Sequence, residues 1–137
     1  MPAVEKVFLA QLWRIERRLL ERARPCLKEA GVPMRAVIFL AHVDAYPYPS
    51  ALAEALGLPP ARVSQILGEL EARGWIERHP DPEDRRRARL VRTAKGQEVL
   101  EAAGRCLGAV AREALAALDE NEQKALMRAL EKLEAHL

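Results

Sequence analysis

Apolar residues near the start of the chain recur at steps of three and four: Val4, Phe8, Leu12, Ile15 and Leu19. That period predicts an amphipathic helix over residues 3–23, with Glu16, Arg17 and Arg18 turned to water. Pro25 and the Ala30-Gly31-Val32-Pro33 stretch are expected to interrupt it, and Pro33 suits the first turn of a second helix over 34–44. In Tyr46-Pro47-Tyr48-Pro49 each residue before a proline is pushed toward an extended conformation, so a break is expected there. Two short helices follow, over 50–56 and 60–73, separated by Gly57, Leu58 and Pro59. After Gly74 the pattern changes to two short strands, 75–79 and 89–93, joined by a charged, proline-bearing loop. A long helix is expected over 94–118. Asp119 then opens the last helix, with Glu122 completing a capping box and Leu126, Leu130, Leu133 and Leu137 forming its apolar stripe.

Residues 49–68 carry the most information. Leu52, Leu56, Leu58, Val63 and Ile66 are apolar where two short crossed helices would share a core, and Ala53 is small where they must approach. Gly57 sits just past the first helix, where a sharp turn needs a left-handed backbone, and Pro60 fixes the first turn of the second. This agreement points to a helix-turn-helix, whose second helix enters the DNA major groove; an ordinary antiparallel helix pair is the alternative.

Val63, Ile66, Leu67 and Leu70 make the buried stripe of the second helix, so the opposite face shows Ala61, Gln65 and Gly68, with Pro60, Arg62 and Ser64 at its N-terminal end. Gln65 suits adenine, Arg62 suits guanine, and Ser64 suits either a base or a phosphate. Gly68 costs a helix roughly 1 kcal/mol against alanine, which makes sense where backbone must approach another surface. Without DNA, Arg62 and Gln65 are ordinary solvent-facing residues.

Overall charge changes this picture little, since 22 basic residues nearly cancel 20 acidic ones. Its distribution matters more: from Arg85 to Lys95 there are six positive charges and no negative one, while the C-terminal third is net acidic. Such a run suits a polyanion better than a membrane, although a solvated basic loop is its commonest origin. Asp84 and Arg86 lie close enough for a carboxylate–guanidinium brace that would shape the loop. Arg85, Arg87 and Arg89 are then left for phosphates and the minor groove, and Arg78 and Arg92 on the strands for flanking phosphates. His79 is a further phosphate candidate.

Several classes are excluded. No apolar run approaches a membrane span, the N-terminus lacks the layout of a signal peptide, and two cysteines do not make a disulfide scaffold, so the cytoplasm is expected. His42, His79 and His136 are scattered, without metal spacing or a nucleophile–base arrangement. No enzyme, metal or cofactor is therefore expected.

With the hairpin added, the chain resembles the multiple antibiotic resistance regulator (MarR) family of winged helix-turn-helix repressors. The matching residues are Leu52-Ala53-Glu54-Ala55-Leu56-Gly57-Leu58, Val63-Ser64, Leu70-Glu71, Gly74-Trp75-Ile76, Arg78, Asp84-Arg85-Arg86, Leu90-Val91-Arg92-Thr93 and Gly96. The Asp-x-Arg followed at a fixed distance by Thr-x-x-Gly is similar to the family's wing signature, with Arg92 standing where the family usually has leucine. The resemblance implies a mainly α winged helix-turn-helix fold with long N- and C-terminal dimerisation helices and a small two- to three-stranded wing sheet. In that layout, residues 1–32 form an N-terminal dimerisation helix, 33–96 the DNA-binding region and 97–137 the C-terminal dimerisation helices.

It further implies a homodimeric transcription regulator, expected to be a repressor, that reads a near-palindrome in double-stranded DNA. Helix 60–73 would lie in the major groove and wing 80–89 on the adjacent minor groove. Val4, Phe8, Leu12, Ile15, Leu126, Leu130 and Leu133 would bury against a two-fold mate, since a monomer would expose two long apolar stripes. Family members are commonly released by a small aromatic or other apolar effector, for which Trp13, His42 and Trp75 are candidate lining residues and equally candidate core. Some sense oxidants. Cys26, with Arg22, Arg24 and Lys28 nearby, is a candidate for that, whereas Cys106 reads as a small buried hydrophobe. The reading from another class is a winged-helix protein-interaction dimer without specific DNA recognition.

Overall fold

The computed structural model describes residues 2–137. Its elements run α1 (Ala3–Glu29), α2 (Met34–His42), α3 (Pro49–Leu56), α4 (Pro60–Ala72), β1 (Ile76–Pro80), β2 (Ala88–Arg92), α5 (Ala94–Leu115) and α6 (Glu120–His136). The mainly helical winged helix-turn-helix class expected from the sequence is the class observed.

The first departure is at Pro25, which lies inside α1 instead of ending it. Proline lacks the N–H that would bond the carbonyl of Glu21, an interior cost of about 3 kcal/mol. Pro25 faces solvent, where water can serve that carbonyl, while Ala23 and Leu27 on either side are buried and hold the helix on course. The break comes instead at Gly31, whose φ of 72° is left-handed. Smaller differences are fraying at ends: α2 stops at His42 and α5 at Leu115.

The residues divide into two units. One comprises residues up to Ala23 with Cys106–Leu137. Within it an ion pair joins Arg22 to Glu113, and α6 begins on the expected capping box. There the Asp119 carboxylate accepts from the Glu122 N–H at 2.8 Å, and the Asp119 N–H donates back to the Glu122 side chain at 3.1 Å. None of the residues of α6 is buried. Val4, Phe8, Leu12 and Ile15 on α1 and Leu126, Leu130 and Leu133 on α6 are all exposed in the single chain.

The second unit, Arg24–Arg105, has a core of Phe39, Leu40, Val43, Leu52, Val63, Ile66, Leu67, Leu70, Trp75, Ile76 and Leu90. Gly57 ends α3 with φ 63°, and the Leu58 N–H closes the turn on the Ala53 carbonyl at 3.0 Å. Strands β1 and β2 pair antiparallel from Ile76↔Arg92 to Pro80↔Ala88. The hairpin thus sits one residue nearer its tip than expected, which proline tolerates at an exposed strand end. The sheet has two strands, extended by a single bond from the Leu90 N–H to the Pro47 carbonyl at 2.7 Å.

Candidate nucleic-acid interface

Helix α4 is built as its sequence period requires. Val63, Ile66, Leu67 and Leu70 are buried, and Pro60, Ala61, Arg62, Ser64, Gln65 and Gly68 are all exposed. Arg62 donates to the Gln65 side-chain Oε1 at 2.8 Å, so the two candidate base readers hold each other in the free protein. Arg35 on α2 anchors the other end of α4 by bonding Glu69 at 2.8 Å, a contact that lowers the Glu69 pKa.

The hairpin loop has an anchor that the sequence reading missed. Residues 82–87 are all exposed, but Asp81 is buried. Its Oδ1 accepts from the backbone N–H groups of Glu83 at 2.8 Å and Asp84 at 3.1 Å, and its Oδ2 accepts from the Tyr48 hydroxyl. The Tyr48 bond, then the Glu83 N–H, holds the Asp81 carboxyl below its ordinary range, and the same bond to Asp81 raises the Tyr48 phenol. Asp84 does not pair with the Arg86 guanidinium as expected. Its carboxylate accepts from the Arg86 backbone N–H at 3.0 Å, an Asx turn that leaves the guanidinium outside.

The arginines are not equivalent. Arg85, Arg86 and Arg89 are exposed and make no ion pair among the described residues. Arg87, expected to face phosphate, instead lies over the Tyr48 ring, 3.6 Å from its centroid. Arg78 is ion-paired to Glu71, and His79 Nε2 lies within hydrogen-bond distance of the Glu77 carboxylate, at 2.9 Å. Arg92 corrects the expectation of a phosphate contact most clearly. Its side chain is 15% exposed, and it donates to the Leu40 carbonyl, to Gln97 at 2.8 Å and to Asp44 at 2.6 Å. Each of the three guanidinium nitrogens thus has a partner in the fold, where the aliphatic residue usual at this place could not cap the end of α2.

The Thr-x-x-Gly motif closes the base of the hairpin. Thr93 Oγ1 donates to the Gly74 carbonyl at 2.6 Å and accepts from the Gly96 N–H at 3.0 Å, while the Thr93 N–H donates to the Trp75 carbonyl at 3.1 Å. A Cβ on Gly96 would collide with that Trp75 carbonyl. Glycine is required here for close approach, not for its φ.

Comparison with known proteins agrees with this geometry. The model of the MarR family matches residues 30–87, which hold the helix-turn-helix and most of the hairpin. The transcriptional repressor MprA of Escherichia coli (strain K12) is 34% identical over 101 residues, covering 70% of this chain and 57% of MprA. The chain belongs to the MarR family. It spans less than two thirds of MprA's length. Among solved structures, the transcriptional regulator Tm0710 from Thermotoga maritima superposes with TM-score 0.69 at 26% identity, over 95% of this chain and 93% of that one. A MepR variant from S. aureus bound to an oligodeoxyribonucleotide gives TM-score 0.65 at 21% identity, over 94% of this chain and 96% of its own.

The residues suggested for an effector pocket of this MarR-family chain fall in different environments. Trp13 is 69% exposed, whereas Trp75 is buried with Arg73 stacked 4.8 Å from its ring centroid. His42 is half-buried, its Nδ1 on the Ile38 carbonyl at 2.7 Å and its ring stacked with Tyr46. Trp75 is therefore a core residue. Neither Cys26 nor Cys106 is a free thiol, so the expectation of a reactive Cys26 thiol beside basic neighbours does not describe this state. Among the described residues no group of three His, Cys, Asp or Glu could hold a metal ion, and no helix is long and apolar enough to cross a membrane.

Proposed function

We propose that the chain is a homodimeric DNA-binding transcription regulator, a repressor rather than an enzyme, reading a near-palindromic duplex with α4 in the major groove and the β1–β2 hairpin on the adjacent minor groove. The observation that carries this is the outward face of α4. Pro60, Ala61, Arg62, Ser64, Gln65 and Gly68 stand together on the exposed side of a helix whose other side is fully packed. The same compact unit presents Arg85, Arg86 and Arg89 on the hairpin. The oligonucleotide in the MepR complex favours nucleic acid over a protein partner for this fold.

The apolar stripes support dimerisation. Val4, Phe8, Leu12 and Ile15, with Leu126, Leu130 and Leu133, are exposed in one chain and would be covered by a two-fold mate. A symmetric helix-turn-helix dimer would read half-sites about one helical turn of DNA apart. Residues 1–32 and 97–137 serve assembly in this reading and 33–96 serve recognition. Release by a small apolar effector belongs to the same reading.

Fluorescence anisotropy with duplexes from the protein's own upstream region, against random duplex at matched salt, tests it. Arg62→Ala or Gln65→Ala is expected to cost about 1–3 kcal/mol on the preferred site and to relax preference at one base pair. Equal affinity for every duplex, with no change in either variant, would favour the protein-interaction dimer. A stable monomer in sedimentation at micromolar concentration would end the symmetric model.

A further inference from the structure

Tyr48 occupies the N-cap position of α3 but makes no side-chain capping bond there. Its hydroxyl goes to the hairpin instead, as the donor to Asp81. One residue earlier, the Pro47 carbonyl accepts from the Leu90 N–H of β2 at 2.7 Å. Two successive residues at the entrance to the helix-turn-helix are thus tied to the wing, one by backbone to its strand and one by side chain to its loop.

We propose that Tyr48 and Asp81 are positioning residues for DNA binding, forming a latch that sets the wing arginines in register with α4. The proposal rests on the DNA-binding reading above. Asp81 is the single buried residue in the stretch 81–87, so it is the point at which an otherwise solvated loop is held. Its carboxylate gathers the Glu83 and Asp84 N–H groups into a turn, and Asp84 then orders the Arg86 N–H in the same way. The Tyr48 ring takes the Arg87 guanidinium on its face, which turns that charge back toward the protein. Arg85 and Arg86 are left pointing away from a loop whose backbone is already fixed. Ordering these residues before encounter removes a conformational cost from binding, and a two-point grip on the duplex needs α4 and wing held at one spacing.

Tyr48→Phe removes the hydroxyl and keeps the ring for Arg87. Two readouts are needed, trypsin cleavage within the arginine-rich loop and affinity for a random-sequence duplex of about three helical turns. Cleavage is expected to be several-fold faster and affinity roughly three- to tenfold weaker, with the thermal midpoint little changed. The affinity loss is expected to vanish when Tyr48→Phe is combined with Arg85→Ala, Arg86→Ala and Arg89→Ala, because a latch has nothing to position on a wing without those charges. Asp81→Asn, which keeps the shape and removes the charge, is expected to act in the same direction.

Wild-type affinity in Tyr48→Phe, or a loss that persists undiminished without the wing arginines, overturns the latch while leaving the DNA-binding reading intact. If the wild-type protein binds no duplex, the DNA-binding reading fails first and the positioning role falls with it.

Discussion

Gly96→Ala is the smallest change that tests how the hairpin is seated. Gly96 stands in the first turn of α5, and an added Cβ there would lie 3.0 Å from the Trp75 carbonyl carbon and 3.0 Å from Arg92 Cγ, with the Trp75 oxygen closer still. The obstacle is backbone, so no side chain can swing aside to relieve it. That carbonyl also accepts the Thr93 N–H, and the Gly96 N–H is itself held by Thr93 Oγ1, so any movement that relieves the clash strains both bonds. Overpacking of this kind costs about 1–3 kcal/mol, and each weakened hydrogen bond adds up to about 1 kcal/mol. Replacing glycine by alanine in a helix returns at most about 1 kcal/mol, and less in a first turn. The net expectation is a loss of about 2–3 kcal/mol.

For a chain of this size that is a fall of roughly 10 °C in the thermal midpoint. Calorimetry or circular dichroism at fixed protein concentration measures it, since the midpoint of the proposed dimer would depend on concentration. Gly104→Ala in the same helix is the control: a Cβ there meets nothing within 4 Å, so this variant should be as stable as wild type or slightly more so. A Gly96→Ala midpoint at or above wild type, alongside an unchanged Gly104→Ala, would refute the close-approach reading of the motif.

The remaining expectations concern charge. Arg92→Ala should destabilise the fold by about 1.5–3 kcal/mol in denaturant titration, as charged hydrogen bonds to Leu40 and Asp44 are lost, and should leave the salt dependence of DNA binding unchanged. Arg85→Ala should lower the slope of log affinity against log salt by about 0.9 per wing, or about twice that per dimer. Arg87→Ala should leave the slope nearly intact, because its guanidinium is stacked on Tyr48. Asp81 has a lowered pKa, so its contribution is complete above the ordinary carboxylate value near 3.9 and is lost as pH falls through the lowered one. Tyr48 has a raised pKa, so its contribution is complete below about 10 and is lost as pH rises through the raised value. With Arg87 and Arg89 as the other charges facing the pair, the wing's resistance to protease should be flat from roughly pH 6 to pH 9. A marked change inside that window would contradict the Tyr48–Asp81 assignment.

What the sequence made legible is what depends on near neighbours. The stripe Val63, Ile66, Leu67, Leu70 repeats at the helical period, so burial on one side fixed the exposed side of α4 without knowledge of what covers it. Gly57 and the Asp119–Glu122 capping box are likewise set within a few residues. Pro25 misled because a local helix-breaking preference met a helix anchored by Ala23 and Leu27. The wing misled for a different reason: charge is a local property, but whether a charge is free is not. Arg87 is taken up by Tyr48, Arg92 by Leu40, Asp44 and Gln97, and Arg78 by Glu71. Asp81, separated by 33 residues from the Tyr48 that holds it, looked like one more acid in a charged loop. Pro80-Asp81-Pro82 did carry a signal, since aspartate between prolines favours an Asx turn, but its burial required a partner no local pattern could reveal. A basic run therefore sets an upper bound on the charge offered to a polyanion, and the tertiary partners of its arginines decide the charge delivered. Here that leaves Arg85, Arg86 and Arg89 of the hairpin, which is why the salt slope must separate Arg85 from Arg87 although the two look alike in the sequence.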